Sequence, residues 1–182
     1  MKHKKKNKNF GFSLIEGLVV IILIGIIVTI AIPMSIGSFG RAHSEMYLDR
    51  VRAALELGRI TAMSESMSIF LCPTSNGTNC NTTVPANNWG ANRLLLFTSS
   101  SGEITTVTRI VSILEAPGAG DYLSSNKSNR IEIQPNGLTS TALRLYYCSI
   151  VDDQGANRYT RELIINFVGR VNLNILPTAQ NC

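Results

Sequence analysis

The 182-residue chain is poor in the side chains that most chemistry needs: two histidines, His3 and His43, one tryptophan and four cysteines. No Cys-x-x-Cys pair occurs and both histidines are remote in sequence from the cysteines, so the ligand spacing of a zinc site is missing. A Gly-x-Ser-x-Gly elbow and a phosphate-binding Gly-rich loop are absent too. The one paired carboxylate, Asp152-Asp153, sits in Val-Asp-Asp-Gln-Gly-Ala-Asn, the composition of a solvated turn rather than of acid–base machinery. Nothing asks for a metal or a cofactor, and an enzyme is not expected.

Charge is also scarce, at 16% of residues, and unevenly placed. The formal +5 and the pI near 9.2 suggest a polyanionic partner at first sight. Yet Lys2, Lys4, Lys5, Lys6 and Lys8 supply five of the 17 basic residues. Beyond Gly11, 12 basic residues face 12 acidic ones. The basicity belongs to the first few residues, and global charge gives no support to nucleic-acid binding.

Cysteine is absent from the first 71 residues; Cys72, Cys80, Cys148 and Cys182 all follow. An even set without metal spacing fits an exported domain with two disulfides. Three pairings are open. The favoured one joins Cys72 to Cys80 around a short Gly/Asn/Thr loop, and Cys148 to Cys182, tying down the tail.

Residues 12–32 form a 21-residue apolar run with a single charge, Glu16. As a helix rising about 1.5 Å per residue, such a run spans a hydrocarbon core of roughly 30 Å. The lysines ahead of it should stay cytoplasmic and send the remainder out. A cleaved secretory signal has a shorter apolar core and a small-residue cut site, and Ala31-Ile32-Pro33 matches that poorly. A plain membrane anchor leaves Glu16 unexplained, because a carboxylate in an apolar helix costs about 2.5–3.5 kcal/mol on insertion scales and needs a partner.

Lys8-Asn9-Phe10-Gly11-Phe12-Ser13-Leu14-Ile15-Glu16 resembles the processing site of type IV prepilins and type II secretion pseudopilins. The matching features are a basic leader, Gly before the cut, Phe after it and Glu five residues into the mature chain. Pro33 falls where that family often carries a kinking proline. The resemblance implies that a prepilin peptidase cuts between Gly11 and Phe12, that the new Phe12 amine is methylated, and that Glu16 pairs with the Phe12 amine of a neighbouring subunit. That amine would be the cation the buried carboxylate lacks.

After a small-residue stretch at 35–40, residues 41–66 read as an amphipathic helix. Leu48, Val51, Leu55, Ala62 and Met63 recur on one face, and Gly58 weakens the pattern without ending it. Strand-like segments follow at 68–72, 93–98, 107–114, 130–134, 143–151, 162–167 and 170–175, with polar separators at 73–92 and 116–129. Asn136-Gly137 and Val168-Gly169 look like tight turns. The architecture expected is α+β, a pilin-like fold in which a long N-terminal helix packs on an antiparallel sheet. Its parts are a leader (1–11), a transmembrane and filament-core helix (12–33), an amphipathic stalk (34–66) and an extracytoplasmic β-rich head (67–182).

The head resembles the GspH/FimT branch of minor pilins and pseudopilins. Leu57-Gly58-Arg59 with Ala62, the loop from Cys72 to Cys80 around Gly77, Trp89 before 94–97, and Phe167-Val168-Gly169-Arg170 ahead of Cys182 carry that likeness. Ile60-Thr61 and Asn92 depart from it. It implies a FimT-like minor pilin of a type IV pilus that helps to initiate assembly, at or near the tip. A GspH-like pseudopilin of type II secretion and a DNA-binding pilin of natural transformation are the alternatives. Implied partners are major and minor pilins, the prepilin peptidase and an inner-membrane assembly platform. The implied location is the bacterial inner membrane with a periplasmic head, then the filament. Some FimT-type pilins present arginines to DNA from a Gly-Arg-x-Arg motif; here Gly169-Arg170-Val171-Asn172 keeps only the first. Arg170, Arg158 and Arg161 are the candidate DNA contacts.

Overall fold

The computed structural model describes residues 13–118, 120–150 and 158–175, with backbone alone at 29–41, 150, 158–160 and 175. It divides into two compact units, Met1–Ser38 and Phe39–Cys182. Helix α1 (Leu14–Glu65) has residues in both and includes Pro33 and the small-residue stretch at 35–40.

In the first unit, the Ser13 carbonyl accepts the Glu16 and Gly17 N–H groups and opens the helix. Glu16 stands in its first turn, where the macrodipole favours a carboxylate. Nearly every large apolar side chain from Leu14 to Val28 is exposed. Among the described residues no helix is long and apolar enough to cross a membrane. The span expected at 12–33 runs past the described side chains at both ends.

In the second unit the α+β arrangement is present. Strands β1 (Ser68–Thr74), β2 (Arg93–Ser99), β3 (Arg109–Leu114) and β5 (Ile131–Ile133) form one sheet, in the order β3-β2-β1-β5. Strands β4 (Tyr122–Ser125), β6 (Leu143–Ile150), β7 (Arg158–Ile165) and β8 (Val171–Ile175) form another, β4-β6-β7-β8, and every pairing is antiparallel. Leu48, Val51, Leu55 and Ala62 of α1 share one core with Ile69, Leu71, Leu94 and Leu96 of the first sheet and Leu145, Tyr147, Leu163 and Ile165 of the second. Each of the Val, Leu and Ile side chains contributes roughly 1.5–3 kcal/mol when fully buried. Met63, assigned to the core stripe on spacing, is exposed.

β1 and β2 are buried on both faces, which is why 94–97 reads as an unbroken apolar run rather than an alternation. Their outer face carries Phe70, Cys72, Leu95 and Phe97, covered by Cys80, Ile104 and Val107. Gly58 marks a close helix–sheet approach, since a Cβ there would lie 3.1 Å from Ile69 and 3.3 Å from Leu96. α1 ends in a left-handed Ser66 (φ 53°) with Met67 N–H donating to the Ala62 carbonyl, a Schellman closure without the usual glycine.

The strand expected at 107–114 begins at Arg109, and that at 130–134 shortens to Ile131–Ile133. The strand placed at 162–167 instead runs Arg158–Ile165, because its partner β6 is long enough to pair the polar residues from Arg158 on. β4 lies inside the segment taken as a separator. It is four residues long and has one fully buried apolar side chain, Leu123, beside the buried Ser124 and Ser125, too little for a hydrophobic periodicity to register.

Candidate functional site

The processing residues Gly11 and Phe12 lie outside the described residues. Glu16 is exposed, and among the described residues its carboxylate has no hydrogen bond or ion pair. So large an exposed apolar surface calls for lipid or other helices, and in that apolar setting the Glu16 carboxylate needs a cation.

In the head, Cys72 and Cys80 form a disulfide across eight positions. Thr74 organises the loop it closes: its Oγ1 accepts from Gly77 N–H at 2.9 Å and donates to the Asn79 carbonyl at 2.7 Å. Cys148 is buried on β6, and no described cysteine is free. Cys182, its expected partner, lies outside the described residues, as do Asp152 and Asp153.

Of the three candidate DNA contacts, the side chains of Arg161 and Arg170 are described. Arg161 is only 4% exposed and donates from Nη2 to Glu45 Oε1 at 2.7 Å. It points into the core side of β7 and ties that strand to α1, so its guanidinium is not available to a phosphate. Its partner Glu45, 116 positions away, leaves no trace in local sequence. The Arg158 side chain is not among those described. Arg170 is exposed beside Gly169, the first residue after the β7–β8 turn. Next to Arg161, Glu162 is also buried, and it accepts from Arg144 Nη1 (3.3 Å) and Asn174 Nδ2 (3.1 Å) on the flanking strands.

His43 stands on α1, remote in sequence from the strands of the head. Its Nδ1 lies 3.3 Å from Tyr147 Oη, and Tyr147 donates to Asp121 Oδ2 at 2.6 Å. Burial, reinforced by the Asp121 carboxylate, pushes the Tyr147 phenol well above its ordinary range. Tyr47, 5.3 Å from Tyr147 ring to ring, is pushed up by burial alone. Both phenols therefore stay protonated, and the cluster holds α1, β6 and Asp121 together. It has no nucleophile. Among the described residues no three His, Cys, Asp or Glu side chains are grouped to hold a metal ion.

The described residues also form concave surfaces, two of which involve α1. One, of about 530 Å³, lies between α1 and β3 and is lined by Met46, Ala53, Leu57, Ile113 and Leu114, with His43 at its edge. The other, of about 520 Å³, lies where Arg52, Glu56 and Arg59 of α1 meet Gly169, Arg170 and Asn172.

Residues 48–169 match the family of Type II transport protein GspH, and residues 6–32 match the prokaryotic N-terminal methylation motif. No curated protein matches the chain. The fold is similar to the crystal structure of the Pseudomonas aeruginosa type IV minor pilin FimU, with a TM-score of 0.54 and 17% identity over 74% of this chain and 90% of that one. The same protein in a second crystal form aligns with a TM-score of 0.47 and 18% identity, over 74% and 91%.

Proposed function

The chain belongs to the GspH family and carries a methylation motif of the prepilin type, and from that premise we propose that it is a minor pilin of a type IV pilus. The observation that carries the proposal is the joining, in one chain, of the motif at residues 6–32 to a head with the fold of a type IV minor pilin.

In this reading the lysine-rich leader holds the precursor's N-terminus in the cytoplasm, residues 12–33 anchor it in the inner membrane, and the head stands in the periplasm. Prepilin peptidase cuts between Gly11 and Phe12, and the Phe12 amine is methylated. On leaving the bilayer for a filament, the exposed apolar side chains of 14–28 exchange lipid for neighbouring helices. Glu16 gains the Phe12 amine of an adjacent subunit, the ion pair that makes its position tolerable. Major and minor pilins and the inner-membrane assembly platform are then the partners, and the role is initiation at or near the tip. A nucleic-acid role would rest on Arg170 and Arg158, with Arg161 buried and the head balanced in charge.

The test is made in cells carrying a tagged chain. Sheared filaments should contain it in amounts well below the major pilin, its deletion should reduce piliation, and Glu16→Ala should abolish incorporation at unchanged membrane level. Normal piliation without the chain, together with loss of type II secretion, would move the assignment to a pseudopilin.

A further inference from the structure

Two turns of the head are built alike and lie side by side on α1. Gly137 N–H donates to the Gln134 carbonyl at 2.8 Å, and Gly169 N–H to that of Asn166 at 2.9 Å. Each glycine has positive φ, 77° and 72°. Each turn is then closed by a second bond, Gln134 N–H to Leu138 O (2.8 Å) and Asn166 N–H to Arg170 O (3.1 Å). These are three-residue hairpin loops in which a left-handed glycine completes a bulge. The glycines let the turns touch: a Cβ on Gly169 would stand 2.5 Å from the Gly137 carbonyl oxygen and 3.2 Å from Arg59 Nε, and one on Gly137 2.9 Å from Met63 Sδ.

The tip of the second turn presents Phe167 and Val168 to solvent, 59% and 57% exposed, and Leu138, Ile60 and Met63 are exposed as well. Thr139 N–H, bonded to the Phe167 carbonyl at 2.9 Å, keeps Leu138 close to that tip. Beside this apolar surface lies the 520 Å³ cleft that Arg59 and Arg170 both line. Its one carboxylate, Glu56, is engaged by Arg52 at 3.0 Å. Among the described residues neither Arg59 nor Arg170 has an ion pair or hydrogen bond, and Arg59 Nε is buried without an acceptor. A buried charged donor left unpaired is costly, and a guanidinium fork is satisfied best by a planar, two-oxygen anion.

Carboxylate and phosphate both fit a fork. Ile60 and Met63 in the cleft, Phe167, Val168 and Leu138 exposed beside it, and a head of balanced charge favour the carboxylate, because phosphate chains are held chiefly by net positive field. We infer that this face docks a protein segment presenting a carboxylate between apolar side chains. The carboxylate enters between Arg59 and Arg170, and the apolar neighbours cover Phe167, Val168 and Met63. The inference goes beyond the filament assignment and holds for a subunit of either machine.

The full chain in detergent micelles, with ¹⁵N-labelled arginine, is titrated with acetyl-Ala-Val-Glu-Val-Ala-amide, its Gln counterpart, inorganic phosphate and a thymidine dodecamer, and the arginine Nε–H resonances are followed by NMR. The glutamate peptide should shift the Arg59 and Arg170 signals saturably and bind roughly tenfold tighter than the glutamine peptide, the worth of one charge-assisted pair. Arg170→Gln, at an exposed position that leaves the turns intact, should remove that difference. Equal binding of the two peptides, tighter binding of phosphate or the oligonucleotide, or no saturable shift with any probe would each overturn the inference. Filament incorporation is read separately, so failure of one test leaves the other standing.

Discussion

The Arg161–Glu45 pair predicts an asymmetry between its two halves. Arg161 is 4% exposed, whereas Glu45 is 43% exposed. Glu45→Ala leaves a buried guanidinium, whose Nε already lacks an acceptor, with no counter-charge. Breaking a fully buried pair costs about 3–5 kcal/mol, and water reaching the Glu45 side reduces that to roughly 2–4 kcal/mol here. Arg161→Met removes the charge itself, keeps much of the apolar stem and leaves a carboxylate that water can solvate; it should cost about 1 kcal/mol or less. The double variant should resemble Arg161→Met alone. Urea unfolding can be followed through Trp89, the only tryptophan, fully buried in the head. With an unchanged m-value, the midpoint shift converts directly into free energy. Equal losses below about 1 kcal/mol for both single variants would place the pair among ordinary surface ion pairs and refute the reasoning.

Gly169→Ala combines a left-handed φ, worth roughly 1–2 kcal/mol, with a backbone clash at 2.5 Å; it should cost about 3 kcal/mol or more, against about 1 for Gly102→Ala, where φ is 74° and the nearest atom is 3.9 Å away. Thermal melts of the two variants give the comparison. Replacing Cys72 and Cys80 together by Ser opens a loop of eight positions and should cost about 2.5 kcal/mol by the chain-entropy relation, read from the urea midpoint. Tyr47 and Tyr147 hold their protons above the ordinary phenol value of about 10. Their contribution is therefore complete below pH ~10 and is lost as pH rises beyond it, since the unfolded chain then binds fewer protons than the native one. Tyr147→Phe should flatten that alkaline loss, measured as the urea midpoint against pH, while lowering stability near neutrality by about 1–3 kcal/mol.

The helix, most strands and the first disulfide were legible because each is written locally. The stripe of Leu48, Val51 and Leu55, the run at 94–97, and the loop from Cys72 to Cys80 carry their signals within a few residues. β4 escaped because four residues with one inward Leu123 make no period. The burial of Arg161 and Glu162 was not legible for a different reason: charged residues on a strand normally mark solvent, and only the folded arrangement brings Glu45, Arg144 and Asn174 to them. The Asn136-Gly137 and Val168-Gly169 turns were visible as turns. That they stack on Arg59 and leave it unpaired with Arg170 was not, since three chain segments meet there. His43 likewise lacks any local signal for its contact with Tyr147, 104 positions away.

The central claim is that the chain is a processed filament subunit, and the mass of the mature protein tests it most directly. Isolated from cells with prepilin peptidase, the chain should begin at Phe12, carry one added methyl on its amine and retain residues 12–33; Gly11→Ala should leave it at precursor mass. A mature chain that keeps residues 1–11, or one cut after Ala31, would contradict the account.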